Sequence, residues 1–260
     1  YWLIDIKGIV KWAFPLKVIG TNAIVAYVLS HVIDFPVIAD FILFGLKSYT
    51  GNFYEVADNA DIYIIAVSDS ALTAIDNWLP LQKHGIVVHT AGAVSKLVLK
   101  KVAESYGVLY PLQSLRSNSR VIPEIPFLID ADSPDTLQQI ISFSASLSGK
   151  VAFADDETRM KLHTGAVIVN NFPNYLYTLT QDFCAKENLD FSLLLPLLYE
   201  TANRLEQYPA GLMQTGPAMR NDQDTITKHL SLLKAYPALS KLYAELSGSI
   251  SDYYDQRKAE

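Results

Sequence analysis

Over the first half of the chain, short apolar runs alternate with helix-like stretches. Ile62–Val67, Ile86–His89, Val108–Tyr110, Ile125–Asp130 and Val151–Ala154 read as strands, with Leu16–Ile19 a shorter one ahead of them. Their near-continuous hydrophobicity is that of strands covered on both faces. Between them Ala23–Ile33, Asp69–Leu79 and Ser95–Ser105 read as helices, as does the stretch opened by Ser133-Pro134-Asp135 and running to Leu147. A capping serine, a first-turn proline and an acid beside the helix dipole make that last start the clearest in the chain. The alternation predicts an α/β domain with a mostly parallel sheet.

After Asp155 the pattern changes. Long helical stretches follow at Asp156–Glu187, Phe191–Gln207, Asp222–Ala235 and Pro237–Tyr254. The expected division is therefore an α/β domain over 1–155 and an all-helical domain over 156–260. The first long helix is apolar nearly all round, through Ala166, Val167, Ile168, Val169, Phe172, Leu176, Leu179 and Phe183. Such a helix must be covered on several sides. A homodimer in which the C-terminal helices interlock would cover it.

Composition narrows the partners. Half of the residues are hydrophobic and 18% are charged, a balance rich in core and lean in surface. The net charge of -6 argues against nucleic acid, whose phosphates call for basic patches. Leu162–Gln181 is the longest uncharged stretch, but His163, Asn170, Asn171, Pro173 and Asn174 make it a poor membrane span. Tyr1–Phe14 is apolar without the arrangement of a signal peptide. The single cysteine, Cys184, excludes an intramolecular disulfide and points to a reducing, cytoplasmic setting. His84, His89, His163 and His229 are scattered without ligand spacing, so no metal is expected.

Polar groups at strand exits are the first candidates for a site. A dinucleotide turn wants G-x-G-x-x-G, so that the pyrophosphate can approach the backbone. Here Gly20-Thr21-Asn22-Ala23 follows Lys17-Val18-Ile19 and keeps only the first glycine. An ordinary tight turn accounts for it equally well. Ser68-Asp69, His89-Thr90-Ala91-Gly92 and Tyr110-Pro111-Leu112-Gln113-Ser114 also follow buried strands, at the edge where α/β sheets bind ligands. On the long helix, His163, Asn170 and Asn174 are spaced by seven and four, which shares one α-helical face, and Tyr177 extends it. Pro173 lies within this seam and is expected to kink it. A satisfied network between helices is the alternative to a pocket wall. Gln214-Thr215-Gly216-Pro217-Ala218-Met219-Arg220 joins two helices and offers a hydroxyl and a bidentate cation. A plain helix connection with a solvated Arg is the competing account.

Several of these stretches together resemble a known family. They are Ala60–Asp69, Val88–Gly92, Gly107–Gln113, Leu162-His163, Asn170-Asn171-Phe172, Glu200-Thr201-Ala202 and Gln214–Arg220. The family pairs a Rossmann-like domain with a helical C-terminal domain of unknown function. Its members are described as NADP oxidoreductases, distantly similar to pyrroline-5-carboxylate reductase and the 6-phosphogluconate-dehydrogenase-like group. The resemblance runs from about Asn59 to Tyr253. It implies a dimer through the helical domain and NADP at the sheet edge, near Gly20, Thr21, Asn22, Ser68, Asp69, His89, Thr90 and Ala91. The chain departs from the family's G-x-G-N-x-A turn and lacks its Ser-Arg-like pair after the second strand.

Two functions remain in view. One is an NADP-dependent oxidoreductase acting on a small carbonyl or imine at a cleft between the domains. His163 would then donate a proton or polarise the acceptor, and Asn170 would orient it. Gln113, Asn174, Thr215, Gly216 and Arg220 would bind the rest of the substrate. The other is a non-enzymatic Rossmann-like dimer that binds a nucleotide or metabolite, or has lost cofactor binding.

Overall fold

A computed structural model describes residues 60–75, 85–114 and 123–258, with the strand segments 25–27 and 48–50. The strands are β1 (Val25–Tyr27), β2 (Ser48–Thr50), β3 (Ile62–Ile65), β4 (Ile86–His89), β5 (Tyr106–Pro111), β6 (Phe127–Ala131) and β7 (Val151–Phe153). They form a seven-stranded sheet in the order β2-β1-β3-β4-β5-β6-β7. Every neighbouring pair is parallel except β5 with β6, where Leu109 lies opposite Ile129. The sequence shows no helix-like stretch between those two strands, and without a crossover the chain returns antiparallel. Strand order reverses between β1 and β3, the switch point of an open α/β sheet.

Side chains alternate across the sheet, as the period of two requires. Tyr63 and Ile65 of β3 join Val87, Leu99 and Val102 on one face. Ile62 and Ile64 join Val88, Phe127, Ile129, Ile140 and Phe143 on the other. Each fully buried Ile or Phe contributes ~1.5–3 kcal/mol. Helix α1 (Asp69–Leu72) is a single turn capped by Ser68, and α2 (Pro134–Leu147) is capped by Ser133 and lays Ile140 and Phe143 on the sheet. Gly107 permits the close β5–β6 approach: a Cβ there would stand 2.3 Å from the Asp130 carbonyl oxygen and 2.7 Å from Ile140 Cδ1.

The remaining helices are α3 (Asp156–Ala166), α4 (Phe172–Lys186), α5 (Leu195–Leu205), α6 (Gln223–Leu232) and α7 (Pro237–Lys258). A π-helical turn at Val167–Asn171 separates α3 from α4. It falls just before Pro173, which has no N–H to return to the Val169 carbonyl. The expected continuous helix over Asp156–Glu187 is thus interrupted where proline withdraws a donor.

Three other expectations change. Ala23–Ile33 contains β1 rather than a helix, because Val25-Ala26-Tyr27 pairs with both β2 and β3, and pairing overrides helical propensity. Ser95–Ser105 holds only the 3₁₀ turn Lys96–Leu99, opened by Ser95. Side-chain and main-chain bonds from Lys96 to Asp130 and Asp156 pin that turn. Helix α1 ends at Leu72, short of the expected Leu79. Leu16–Ile19 and Gly20-Thr21-Asn22 lie outside the described residues.

The chain divides into two compact units, Tyr1–Ile168 and Val169–Glu260. Element type changes at 155/156, whereas the packing changes at 168/169, so α3 goes with the sheet. In the second unit α7 packs against α4 and α6, and Cys184, Ala218, Ile226 and Leu233 are buried. Val169, Leu193, Leu197, Tyr199 and Leu212 of the same unit are exposed. Among the described residues no helix is long and apolar enough to cross a membrane.

Candidate functional site

The exits of β4 and β5 meet α3 at the carboxyl edge of the sheet, within the first unit. The Thr90 N–H donates to the Ile65 carbonyl at 3.2 Å and ties the β3 and β4 exits together. Ser68 Oγ accepts from the Ala71 N–H, leaving Asp69 exposed in the first turn of α1.

His89, the last residue of β4, is fully buried. Its Nδ1 accepts from the Ala91 N–H at 3.2 Å, which places the proton of the neutral ring on Nε2. Burial, reinforced by the Arg159 guanidinium, lowers its pKa to about 3 against the opposing Ser95 main chain and Asp156. His89 is therefore a neutral wall residue through the physiological range. The sequence had offered His89 and Ala91 to a cofactor, but the His89 ring is enclosed and the Ala91 N–H is already engaged. Thr90 is the half-buried member of that trio.

Helix α3 is fastened here by its first turns. Asp155 caps it by accepting from the Thr158 N–H at 2.8 Å. Arg159, almost wholly buried, donates from NH2 to the Val94 carbonyl and to Asp156 Oδ1, both at 2.6 Å, and from NH1 to the Ala154 carbonyl at 3.4 Å. Asp156 also accepts from the Ser95 hydroxyl and the Lys96 N–H. Burial opposes ionisation of Asp156, yet Ser95, Arg159 and Lys96 prevail and hold its carboxyl below the usual range. Beside it, Lys96 Nζ donates to Asp130 Oδ1 at 2.7 Å and to the Ala131 carbonyl at 2.8 Å.

One turn beyond Arg159, on the same face, α3 presents His163. Its Nδ1 lies 2.9 Å from the Tyr110 hydroxyl, and the rings meet edge to face with centroids 5.9 Å apart. Gly92 makes room for both: a Cβ there would stand 2.8 Å from His163 Nδ1 and 2.9 Å from Tyr110 Cζ. Burial, then the Asp69 carboxylate, raise the Tyr110 pKa above its ordinary value, while Arg159 opposes them. Among the described residues the Tyr110 hydroxyl bonds only to His163, and His163 Nε2 has no protein partner.

Gln113 is exposed after β5, its Oε1 accepting from the Ser114 N–H at 2.8 Å. Asn170, Asn174, Thr215, Gly216 and Arg220 belong to the second unit. Asn170 is exposed in the π-helical turn and donates to Asn171 Oδ1, and Asn174 is exposed on α4. The seven-and-four spacing presumes an unbroken α-helix, and the π-helical turn breaks that phase. Gly216 adopts φ +104°, with Thr215 and Arg220 exposed on the same connection ahead of α6. Tyr110, Gly92 and Arg159 received no individual role from the sequence. For Arg159 a signal existed, since it precedes His163 by one helical turn. Among the described residues no group of three or more His, Cys, Asp or Glu could hold a metal ion.

Fold and site define a Rossmann-like protein with a helical C-terminal part. The domain of unknown function DUF2520 matches residues 125–250. The putative NADP oxidoreductase BF3122 from Bacteroides fragilis is 30% identical, with a TM-score of 0.79 over 89% of this chain and 98% of that one. The chain belongs to the family of that protein, Rossmann-like with a DUF2520 domain. Protein TM1727 from Thermotoga maritima shares the fold at 19% identity and a TM-score of 0.66, over 91% of this chain and 100% of that one. Plasmodium falciparum pyrroline carboxylate reductase, solved with NADP bound, shares it at 12% identity and a TM-score of 0.54, over 89% and 98%. No curated protein matches the chain.

Proposed function

We propose that this protein is an NADP-dependent oxidoreductase that reduces or oxidises a small carbonyl or imine at the carboxyl edge of its sheet. The observation that carries the reading is His163, held by Tyr110 over Gly92 at the exits of β4 and β5, its Nε2 without a partner among the described residues. Support comes from the family's Bacteroides fragilis member, described as an NADP oxidoreductase.

The residues present suit a nicotinamide cofactor in two respects. The edge lies beside the switch point of the strand order, where such cofactors sit. Ser68, Ser70 and Thr90 supply hydroxyls at the β3 and β4 exits. Ser68, Asp69 and Thr90 would hold the cofactor's polar groups, with Ala91 closing the turn beneath. When bound, the cofactor supplies or accepts the hydride. His163 donates to the acceptor oxygen or nitrogen as charge develops on it. His89, neutral and enclosed, offers no second proton source at that edge.

Asn170, Asn174, Gln113, Thr215, Gly216 and Arg220 remain candidates for orienting the substrate. A homodimer through residues after Asp156 is part of the same reading. Val169, Leu193 and Leu197 are exposed apolar side chains that a second copy would cover. Buried, unpaired Cys184 suits a reducing cytoplasmic setting.

Thermal shift with NADPH and NADH tests the cofactor. A ligand at a hundredfold excess over its Kd stabilises by ~2.7 kcal/mol, and NADPH should raise the melting temperature more than NADH. No shift with millimolar amounts of either would instead favour a Rossmann-like protein without cofactor binding. NADPH oxidation with a cyclic imine such as 1-pyrroline and a set of small ketones then tests the reaction. Light scattering should give twice the chain mass.

A further inference from the structure

We infer that Tyr110 is a positioning residue which fixes His163 as a hydrogen-bond donor and not a base, by accepting no proton from Nδ1 and giving its own hydroxyl hydrogen to it. The inference rests on His163 as the polarising group proposed above, and it adds the direction in which that group works.

A contact of 2.9 Å between a hydroxyl and an imidazole nitrogen admits two arrangements. Either the tyrosine O–H donates to a bare Nδ1, or Nδ1–H donates to the tyrosine oxygen. The second leaves the hydroxyl hydrogen of the half-buried tyrosine in need of another acceptor, which the first does not. Among the described residues Tyr110 has no other hydrogen-bond partner. The first arrangement satisfies the hydroxyl with one bond and moves the ring proton to Nε2. Asp69 and burial keep the tyrosine protonated, so its donor role persists across the working range.

Packing sets the two rings close together. Gly92 lies beside His163 Nδ1 and Cγ and Tyr110 Cζ, so closely that any side chain at position 92 would press on both rings. Arg159 holds α3 from the turn below. The outcome is a histidine whose free nitrogen offers N–H to whatever enters. A carbonyl oxygen or imine nitrogen is a good partner for it, whereas a C–H or O–H awaiting deprotonation is not. The site is thereby biased toward stabilising developing negative charge on an acceptor.

The tautomer can be read without cofactor or substrate, by long-range nitrogen–proton NMR on the full chain at about pH 8, above the ordinary imidazole pKa of ~6.5. His163 should show an unprotonated Nδ1 and a protonated Nε2. Tyr110→Phe should convert it to a mixture of tautomers. In turnover that variant should lose roughly tenfold in kcat with little change in KM, the equivalent of one hydrogen bond. If Tyr110→Phe does not fold, the wild-type spectrum still decides, because a protonated Nδ1 or a mixture overturns the inference. An unchanged tautomer in folded Tyr110→Phe overturns it as well. A locked tautomer released by Tyr110→Phe, in a protein that binds neither NADPH nor NADH, upholds the positioning role while the oxidoreductase reading falls.

Discussion

The molecule contains the same side-chain pair twice. In the first unit His163 Nδ1 meets the Tyr110 hydroxyl at 2.9 Å; in the second His229 Nδ1 meets the Tyr243 hydroxyl at 2.7 Å. Both are edge to face, with centroids 5.9 and 5.6 Å apart. The surroundings differ. His229 and Tyr243 are fourteen residues apart on α6 and α7, and their bond joins two neighbouring helices. Tyr110 and His163 are fifty-three apart, brought together by a β-strand end, a glycine turn and a helix riveted by a buried arginine. The chemistry of a pair is therefore not its function. What separates a candidate site from a helix brace is the company of strand exits and a glycine kept bare.

Removing each imidazole should give the largest contrast. His163→Ala is expected to lower turnover ~100- to 10,000-fold, the usual contribution of a positioned acid. His229→Ala should leave turnover within about twofold and lower stability by ~1 kcal/mol through its lost hydrogen bond. Rates of NADPH oxidation and urea midpoints measured on both variants separate the two. Equal loss of activity in the two variants would erase the distinction.

The sequence made the frame of this contrast legible and hid its centre. The β4 strand Ile86–His89 and the capped helix Pro134–Leu147 were readable because burial and end signals coincide there. Ser95–Ser105 was not, because the bonds from Lys96 to Asp130 and Asp156 span 34 and 60 residues, and no local propensity reports them. His163 stood out as a polar residue on an apolar helix. Tyr110 did not, since a tyrosine closing a buried strand reads equally well as β-propensity. The seam through Asn170 assumed a regular helix, and Pro173 spoils that regularity nearby.

Acid should strain the first unit next. His89 has a folded pKa of about 3 against 6.5 for the free side chain. Below pH 6.5 the unfolded chain takes up a proton that the folded one refuses, so stability falls as pH drops toward 3. The loss amounts to about 2–3 kcal/mol between pH 6.5 and 4.5. His89→Gln should flatten that dependence, and a slope in urea midpoints as steep as the wild type's would refute the assignment. Gly92→Ala belongs beside it. Relieving contacts below 3 Å at both rings should cost ~1–3 kcal/mol and part Tyr110 from His163, a change visible in the His163 nitrogen shifts.

The smallest effect falls on the second pair and is the most exacting check. Tyr243→Phe deletes one hydroxyl from a half-buried contact and leaves the ring edge to face with His229. The net worth of such a bond is ~0.5–1.5 kcal/mol, because folding exchanges it for one with water. Urea midpoints should move by that amount, while kcat, KM and NADPH affinity stay unchanged. Tyr110→Phe removes the same hydroxyl from the other pair, and its stability loss should be of the same size. Only its effect on turnover and on the His163 tautomer should differ. Equal stability losses with unequal kinetics would mean that location at the strand exits, not bond strength, makes one pair functional. A fall in kcat with Tyr243→Phe would instead show that the helical unit's pair shares in the reaction.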